Sequence, residues 1–401
     1  MGTGPLAGVR VVDFTANMAG PYATMILGDQ GADVVKVEPP TGDILRSIGT
    51  GAGDVSAFFG NLNRSKRSIA LDLDNPKATP VLCALLDGAD VVIENFRPGA
   101  TTRLGLDAET VRRDRPRLIH TSITGYGWAG PYGGLPAYDH VIQALGGYTA
   151  AQAAGLKDPK PAFVRHGVID KATAQAAVQA VTAALFERTR TGRGRAIDIR
   201  MLDVAVAFLW PDAMMNHTII DPDELRVPNA DTYRLTDTSD GQVAFVLVTS
   251  ARLKRLATAL ELEGASELAD HGPLRNARGF VRQASQRLIT MTTAEAVDLL
   301  VSIGIPVAPV VSLDELHLNP QIRAGECIEE FDHPVMGRVR QANPAVRFND
   351  ERVTRLRPAP HLGQDTDSVL VELGYSPADI DRLRDDGVVN RSHQRAAEES
   401  L

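Results

Sequence analysis

The sequence predicts an α/β protein, in which a large domain on an open, mainly parallel sheet is joined to a smaller α+β unit. Two observations carry this. Short apolar, β-branched runs alternate with helical stretches up to about residue 200, the rhythm of strands linked by crossover helices that cover both faces of the sheet. From about Pro228 that rhythm gives way to a shorter run of strands and helices, about a hundred residues long, an ordinary size for a second domain.

Gly8 to Phe14 reads as a buried strand, Ala19-Gly20-Pro21 breaks the run, and Tyr22 to Gly31 has helical spacing. Strands follow at Ala32 to Val37, Ser68 to Leu73, Asp90 to Glu94 and Leu118 to Ile123, with helices near Pro76 to Leu86 and Asp107 to Asp114. A long Ala-rich helix is expected from about Ala172 to Arg190, closed by Gly192-Arg193-Gly194 before the strand Ala196 to Arg200. The second unit offers strand Val243 to Val248, helices near Arg252 to Leu262, Arg275 to Met291 and Thr293 to Ile303, and strand Val307 to Val311. The resulting plan is 1–214 for the first part of the large domain, 215–228 a linker, 229–319 the small domain and 320–334 a second linker. Residues 335–390, too poor in apolar residues to stand alone, return to the large domain with a last helix at Pro377 to Asp385. Arg391 to Leu401 forms a polar tail.

The 401 residues are 44% apolar and 23% charged, an ordinary soluble composition, and the net charge of −8 argues against a duplex nucleic-acid partner. The two cysteines, Cys83 and Cys327, lie far apart without zinc-type spacing, so no metal site is expected, and a reducing cytoplasm is the expected compartment. Neither a signal peptide nor an apolar run of about eighteen residues is present, and Leu6 stands where a myristoylation motif needs Ser or Thr. No membrane partner is expected.

Dinucleotide and triphosphate loops are the default sites for this strand–helix rhythm, yet no GxGxxG follows the first strand and no GxxxxGK[ST] occurs. The Gly192-x-Gly194 pair lies between a helix and a strand, the wrong order for a phosphate loop. Arg64-Ser65-Lys66-Arg67-Ser68 precedes a strand, whereas Asn95-Phe96-Arg97-Pro98-Gly99, with Arg103, follows one. The carboxyl ends of parallel strands are where ligands collect, so the second segment reads either as a site for a phosphorylated ligand with a ring under Phe96 or as a solvated turn. Gly125 to Tyr132 and Pro136 to Ala144 are aromatic and Gly-rich, as a shaped substrate wall would be. Asp170 stands where an apolar run meets the long helix; by position alone it reads as an N-cap.

Taken in order, PLAGVRVVDFT…AGP, ADVVKVEPPTGD, NRSKRSIALDL, ADVVIENFRPGA, SITGYGWAGPY…YDHVIQA, ERTRTGRGRAIDIRMLD, GIPVAPVVSLDE, HPVMG and RPAPHLGQDTDSVLVELGY resemble the class III coenzyme A transferases. That is the family of formyl-CoA transferase and crotonobetainyl-CoA:carnitine CoA-transferase, and the resemblance covers nearly the whole chain. It implies a Rossmann-like large domain, an interlocked homodimer, acyl-CoA and carboxylic acid as substrates, and no tightly bound cofactor. It further implies that Asp170 is the nucleophile of a covalent aspartyl route, a role a carboxylate can fill against a thioester. Oxyanion donors are then expected near Gly127 or at the helix start. For coenzyme A it implies Asn95, Phe96 and Arg103, with Leu71 and Arg46; Lys66 and Arg67 read equally as structural.

Some residues depart from the family pattern. Asp74 stands where a basic residue often contacts phosphate. Lys171 follows the nucleophile where relatives have a small residue, and its charge would favour ionised Asp170 if the two approached. A glycine-rich loop has no counterpart near Asn229 to Asp240, which disfavours oxalate. The related α-methylacyl-CoA racemases use a His where this chain has Tyr138, with His140 two residues on; racemase chemistry and non-catalytic CoA binding are the alternatives. Arg165, Arg46 and Lys171 are each able to pair with a second substrate carboxylate.

Overall fold

A computed structural model describes residues 4–97, 99–153, 160–221, 233–247, 249–264, 277–349, 351–352 and 357–390. The tail 391–401 and linker residues 222–228 lie outside the described residues. The chain divides into two compact units, one of Met1–Ala153, Asp158–Met214 and Glu326–Leu401, the other of Met215–Gly325 with Ala154–Lys157.

The first unit is organised by strands β1 (Arg10–Asp13), β2 (Asp33–Glu38), β3 (Lys66–Ala70), β4 (Val91–Glu94), β5 (Ile119–Thr124) and β6 (Ala196–Arg200). They make a six-stranded sheet in the order β3-β2-β1-β4-β5-β6, parallel throughout, the Rossmann-like order. Register explains why the runs are apolar at successive positions. Val11, Val34 and Val91 stand side by side and enter one core; Val12, Val35 and Val92, one residue on, enter the other. Successive strand residues face opposite ways, so a sheet covered on both faces needs both sets apolar.

The first core is closed by helices α1 (Ala19–Asp29) and α3 (Val168–Thr191), whose Ala23, Leu27, Ala174, Ala177 and Val181 are fully buried. Between them in sequence lies the short helix α2 (Asp139–Leu145). Two helix starts differ from the expected ones. Pro21 does not delay α1, which begins at Ala19, because a first-turn N–H has no intrahelical partner for proline to remove. Helix α3 begins at Val168 rather than near Ala172, for a reason given below.

The second core includes Val369, Leu370, Ile380 and Val389, so the C-terminal segment packs on the large unit. It also covers the outer edge of β3: the Ser68 N–H donates to Asp365, the Asp365 N–H to the Ser68 carbonyl, and the Ala70 N–H to Thr366 Oγ1. An edge strand covered in this way offers no template for pairing. The other unit has a three-stranded antiparallel sheet of Leu235–Asp237, Gln242–Phe245 and Val307–Pro309. Helices Ser250–Ala259, Ala277–Leu288 and Thr293–Ser302 supply much of its core, including Leu253, Leu256, Leu288 and Leu300. No helix among the described residues is long and apolar enough to cross a membrane.

Candidate active site

Strand order reverses between β1 and β4, and in open parallel sheets ligands bind in the crevice outside such a switch point. The loops that leave these strands meet there. Asn95 joins them, its Oδ1 accepting the Ala16 N–H at 2.9 Å and its Nδ2 donating to the Ala16 carbonyl at 2.8 Å. Thr15 and Asn17 are held from below by buried charge. Lys36 Nζ donates to the Thr15 carbonyl (2.7 Å) and to Asp43 (3.1 Å), while Lys66 Nζ donates to Asp13 (3.0 Å), Asn63 and the Pro21 carbonyl. Asp13 Oδ1 accepts the Thr15 N–H and hydroxyl. Burial pushes the Lys66 ammonium down to about 8, against the opposing pull of Asp13. Asn17 itself sits in the left-handed region at φ 64°, which Asn tolerates better than most side chains.

This braced loop ends at Met18, beside the start of α3. A Cβ built on Gly167 would lie 2.6 Å from Met18 Sδ and 3.5 Å from Asp170 Oδ2, so glycine lets the thioether pack directly against the start of α3, beside the carboxylate. Gly167 offers no side chain to cap α3. The cap comes from another element: Asp139 Oδ2 accepts the N–H groups of Ile169 (2.7 Å) and Asp170 (2.9 Å). Asp139 Oδ1 is held by Gln143 Nε2 at 2.5 Å, and Gln143 also bonds the backbone of Val164 and His166. Because an external carboxylate caps the helix, α3 extends upstream and Asp170 lies inside its first turn. The N-cap reading of Asp170 is therefore corrected, and its own carboxyl is left for other work. Burial, and next the like charge of Asp139, push that carboxyl from 3.8 up to about 7.

The influence of Lys171 on Asp170, expected only if the two side chains approached, is not among the causes acting on this carboxyl, which are burial and Asp139. Lys171 Nζ lies 3.4 Å from His166 Nδ1. The expected oxyanion donors are occupied too: the Gly127 N–H donates to Thr124 Oγ1, that of Val168 to the His166 carbonyl and that of Lys171 to the Gly167 carbonyl. At the start of α1, by contrast, the N–H groups of Met18, Ala19 and Gly20 have no acceptor among the described residues.

Phe96 is half-buried at the switch point, its N–H donating to Glu94 Oε2 and its ring 6.4 Å from that of Phe14. Burial pushes the Glu94 carboxyl up. Arg103 is exposed and ion-paired with Asp74. Leu71 is fully buried, and its N–H donates to the Glu38 carbonyl. Arg46 turns inward: Nε and Nη2 bind Glu38 at 2.7 Å each, Nη1 binds Asp54 and the Pro360 carbonyl, and the guanidinium lies 3.8 Å over Phe59. Its nitrogens are committed within the fold. Lys66 is committed to Asp13, and Arg67 to Asp33 and Glu372. Sequence reasoning passed over Asp139 and Gln143 as site residues, though their i, i+4 spacing at a helix start was a readable signal.

A family model described as CoA-transferase family III matches residues 6–366. The chain belongs to that family. Mouse succinyl-CoA:glutarate CoA-transferase is 34% identical over 96% of this chain and 91% of its own length. Formyl-CoA:oxalate CoA-transferase of Rhodopseudomonas palustris (strain ATCC BAA-98 / CGA009) is 32% identical over 99% and 100%. Among solved structures, a CAIB/BAIF family protein from Brucella suis superposes with a TM-score of 0.79 at 29% identity, over 92% of this chain and 99% of that one. This family III chain is thus a CoA-transferase, acting between acyl-CoA and free acids.

Proposed function

We propose that the enzyme moves coenzyme A between short dicarboxylic acids through a covalent intermediate on Asp170. The observation that carries the reading is a carboxyl raised to about 7, unused as a cap, beside Gly167 and the Met18 end of the switch-point loop. The acid class is taken from the relative whose name pairs succinyl-CoA with glutarate, both dicarboxylic.

The Asp170 carboxylate attacks the donor thioester carbonyl, forming an acyl–aspartyl anhydride and expelling the CoA thiolate. The thiolate attacks the aspartyl carbonyl, leaving aspartyl-CoA and the free donor acid. The acceptor carboxylate displaces the thiolate to form a second anhydride, and the thiolate then takes the acceptor acyl group, regenerating Asp170. No water is consumed and every proton balances. The open N–H groups at the start of α1 serve as oxyanion donors. Phe96 and Arg103 contact coenzyme A, with Asn95 and Leu71 fixing the loops that receive it. His140 lies in a stack with Tyr138 and at the edge of Phe163, which supports transfer over proton exchange by that histidine. The interlocked cytoplasmic homodimer belongs to the same proposal; a monomer by light scattering would remove that assembly.

Peptide-mapped mass spectrometry after mixing with acyl-CoA thioesters and quenching in hydroxylamine tests the chemistry. Hydroxamate at residue 170 is expected in the wild type and absent in Asp170→Ala. A fully active Asp170→Ala enzyme overturns the nucleophile assignment.

A further inference from the structure

We propose that Lys171 reads the far carboxylate of the acid substrate and so makes the enzyme selective for dicarboxylic over monocarboxylic acids. This rests on the transferase reading above, with Asp170 engaging the near end of the acid.

Lys171 occupies the first turn of α3, the positive end of the helix dipole, where a cation is disfavoured. The Asp139 carboxylate caps the same turn through the Ile169 and Asp170 N–H groups, but it forms no ion pair with the lysine. No carboxylate pairs with Lys171 among the described residues, and its one polar partner is a histidine ring nitrogen, His166 Nδ1 at 3.4 Å. That contact is to an imidazole nitrogen rather than to a carboxylate, so it orients the lysine without supplying a counter-charge. Nor is the charge spent on the neighbouring nucleophile, whose carboxyl is pushed up by burial and by Asp139. A cation placed against the helix dipole, half-buried and unneutralised, one residue from the reacting carboxyl, is a local rule broken where function most often breaks one.

The other cations are placed differently. Arg46 is consumed by Glu38 and Asp54, Arg103 pairs with Asp74, and Arg200 pairs with Asp198. Arg165 is exposed between Val164 and His166, whose backbones Gln143 clamps, and it is the rival tested beside Lys171. A carboxylate on the substrate would give Lys171 the charge-assisted partner that the protein withholds.

The test compares acids of equal chain length, glutarate and valerate, as acceptors for one acyl-CoA donor, in wild type and in Lys171→Met, Lys171→Arg and Arg165→Met. Lys171→Met is expected to lower the glutarate-to-valerate ratio of kcat/KM by roughly 10- to 100-fold, the worth of one charge-assisted hydrogen bond. Lys171→Arg restores most of it. An unchanged ratio in Lys171→Met, or a ratio lost in Arg165→Met instead, overturns the proposal. Calorimetric binding of glutarate to the CoA-loaded protein separates the two readings. Absence of transfer with any donor defeats the transferase reading, whereas equal glutarate affinity in wild type and Lys171→Met defeats the lysine's role whatever the turnover.

Discussion

Replacing Asp170 with asparagine removes a carboxyl that the fold makes costly to ionise, and the stability gained has a defined pH dependence. The carboxyl rises from 3.8 to about 7 on folding, a shift of ~3 units, or ~4 kcal/mol when the group is fully ionised. Because the folded value lies above the unfolded one, the folded state holds the proton more tightly. The carboxyl's favourable contribution is complete below about pH 4 and is lost as pH rises through about 7. The amide introduced by Asp170→Asn stays neutral throughout. The stability advantage of the variant therefore grows by roughly 2–3 kcal/mol between pH 5 and pH 8 and is flat above that, which for a unit of this size is roughly 4–6 °C in Tm. Thermal melts of both proteins across that range measure it; any constant packing difference and the titrations of groups not coupled to residue 170 cancel in the slope. An advantage that stays flat from pH 5 to pH 8, or falls with pH, would refute the assignment of a raised carboxyl to this site.

Asp139→Asn removes the second cause of that shift, so the acid limb of kcat/KM for acyl-CoA is expected to move to lower pH by about one unit; an unmoved limb would leave burial as the whole cause. Gly167→Ala keeps an accessible backbone (φ −68°) but sets a Cβ 2.6 Å from Met18 Sδ, and the displaced thioether is expected to cost about tenfold or more in kcat/KM. Met18→Ala in the same chain should recover most of the loss, read as a double-mutant cycle; a fully active Gly167→Ala would show that the close approach of Met18 to Gly167 is not needed.

The sheet was legible because parallel strands buried on both faces must be apolar at consecutive positions, and Val11-Val12, Val34-Val35 and Val91-Val92 each declare this locally. Asp170 was legible as a position but not in its state. What sets its proton affinity, beyond burial, is Asp139, separated by 31 residues along the chain; the Asp139–Gln143 spacing marks a helix start, but not which distant helix that carboxylate caps. Arg46 illustrates the opposite failure. A surface-type cation near a strand end resembles a ligand contact, and only its Glu38 and Pro360 partners, the latter 314 residues away, show that it braces the fold. Lys66, which reads equally as a ligand contact or as structural, has its ammonium wholly buried against Asp13.

A nucleophile poised near 7 has a consequence for the proposed chemistry beyond its ionised fraction. In the acyl–aspartyl anhydride the thiolate chooses between two carbonyls: attack on the substrate carbonyl expels Asp170, and attack on the aspartyl carbonyl expels the substrate acid. An ordinary carboxylic acid, with a pKa of about 4, is the weaker base and leaves faster than a carboxylate held at about 7. Partitioning therefore favours aspartyl-CoA over return to the donor thioester, and by the same reasoning the second anhydride also tends to fall back to it. On the proposed route, burial and Asp139 do more than make Asp170 basic enough to attack; the protein-bound thioester is then the expected form in which the enzyme waits for an acceptor. Hydroxylamine trapping at residue 170 should accordingly be strongest with donor present and acceptor withheld. The Asp139→Asn enzyme, whose Asp170 is a better leaving group, should trap less at the same donor concentration.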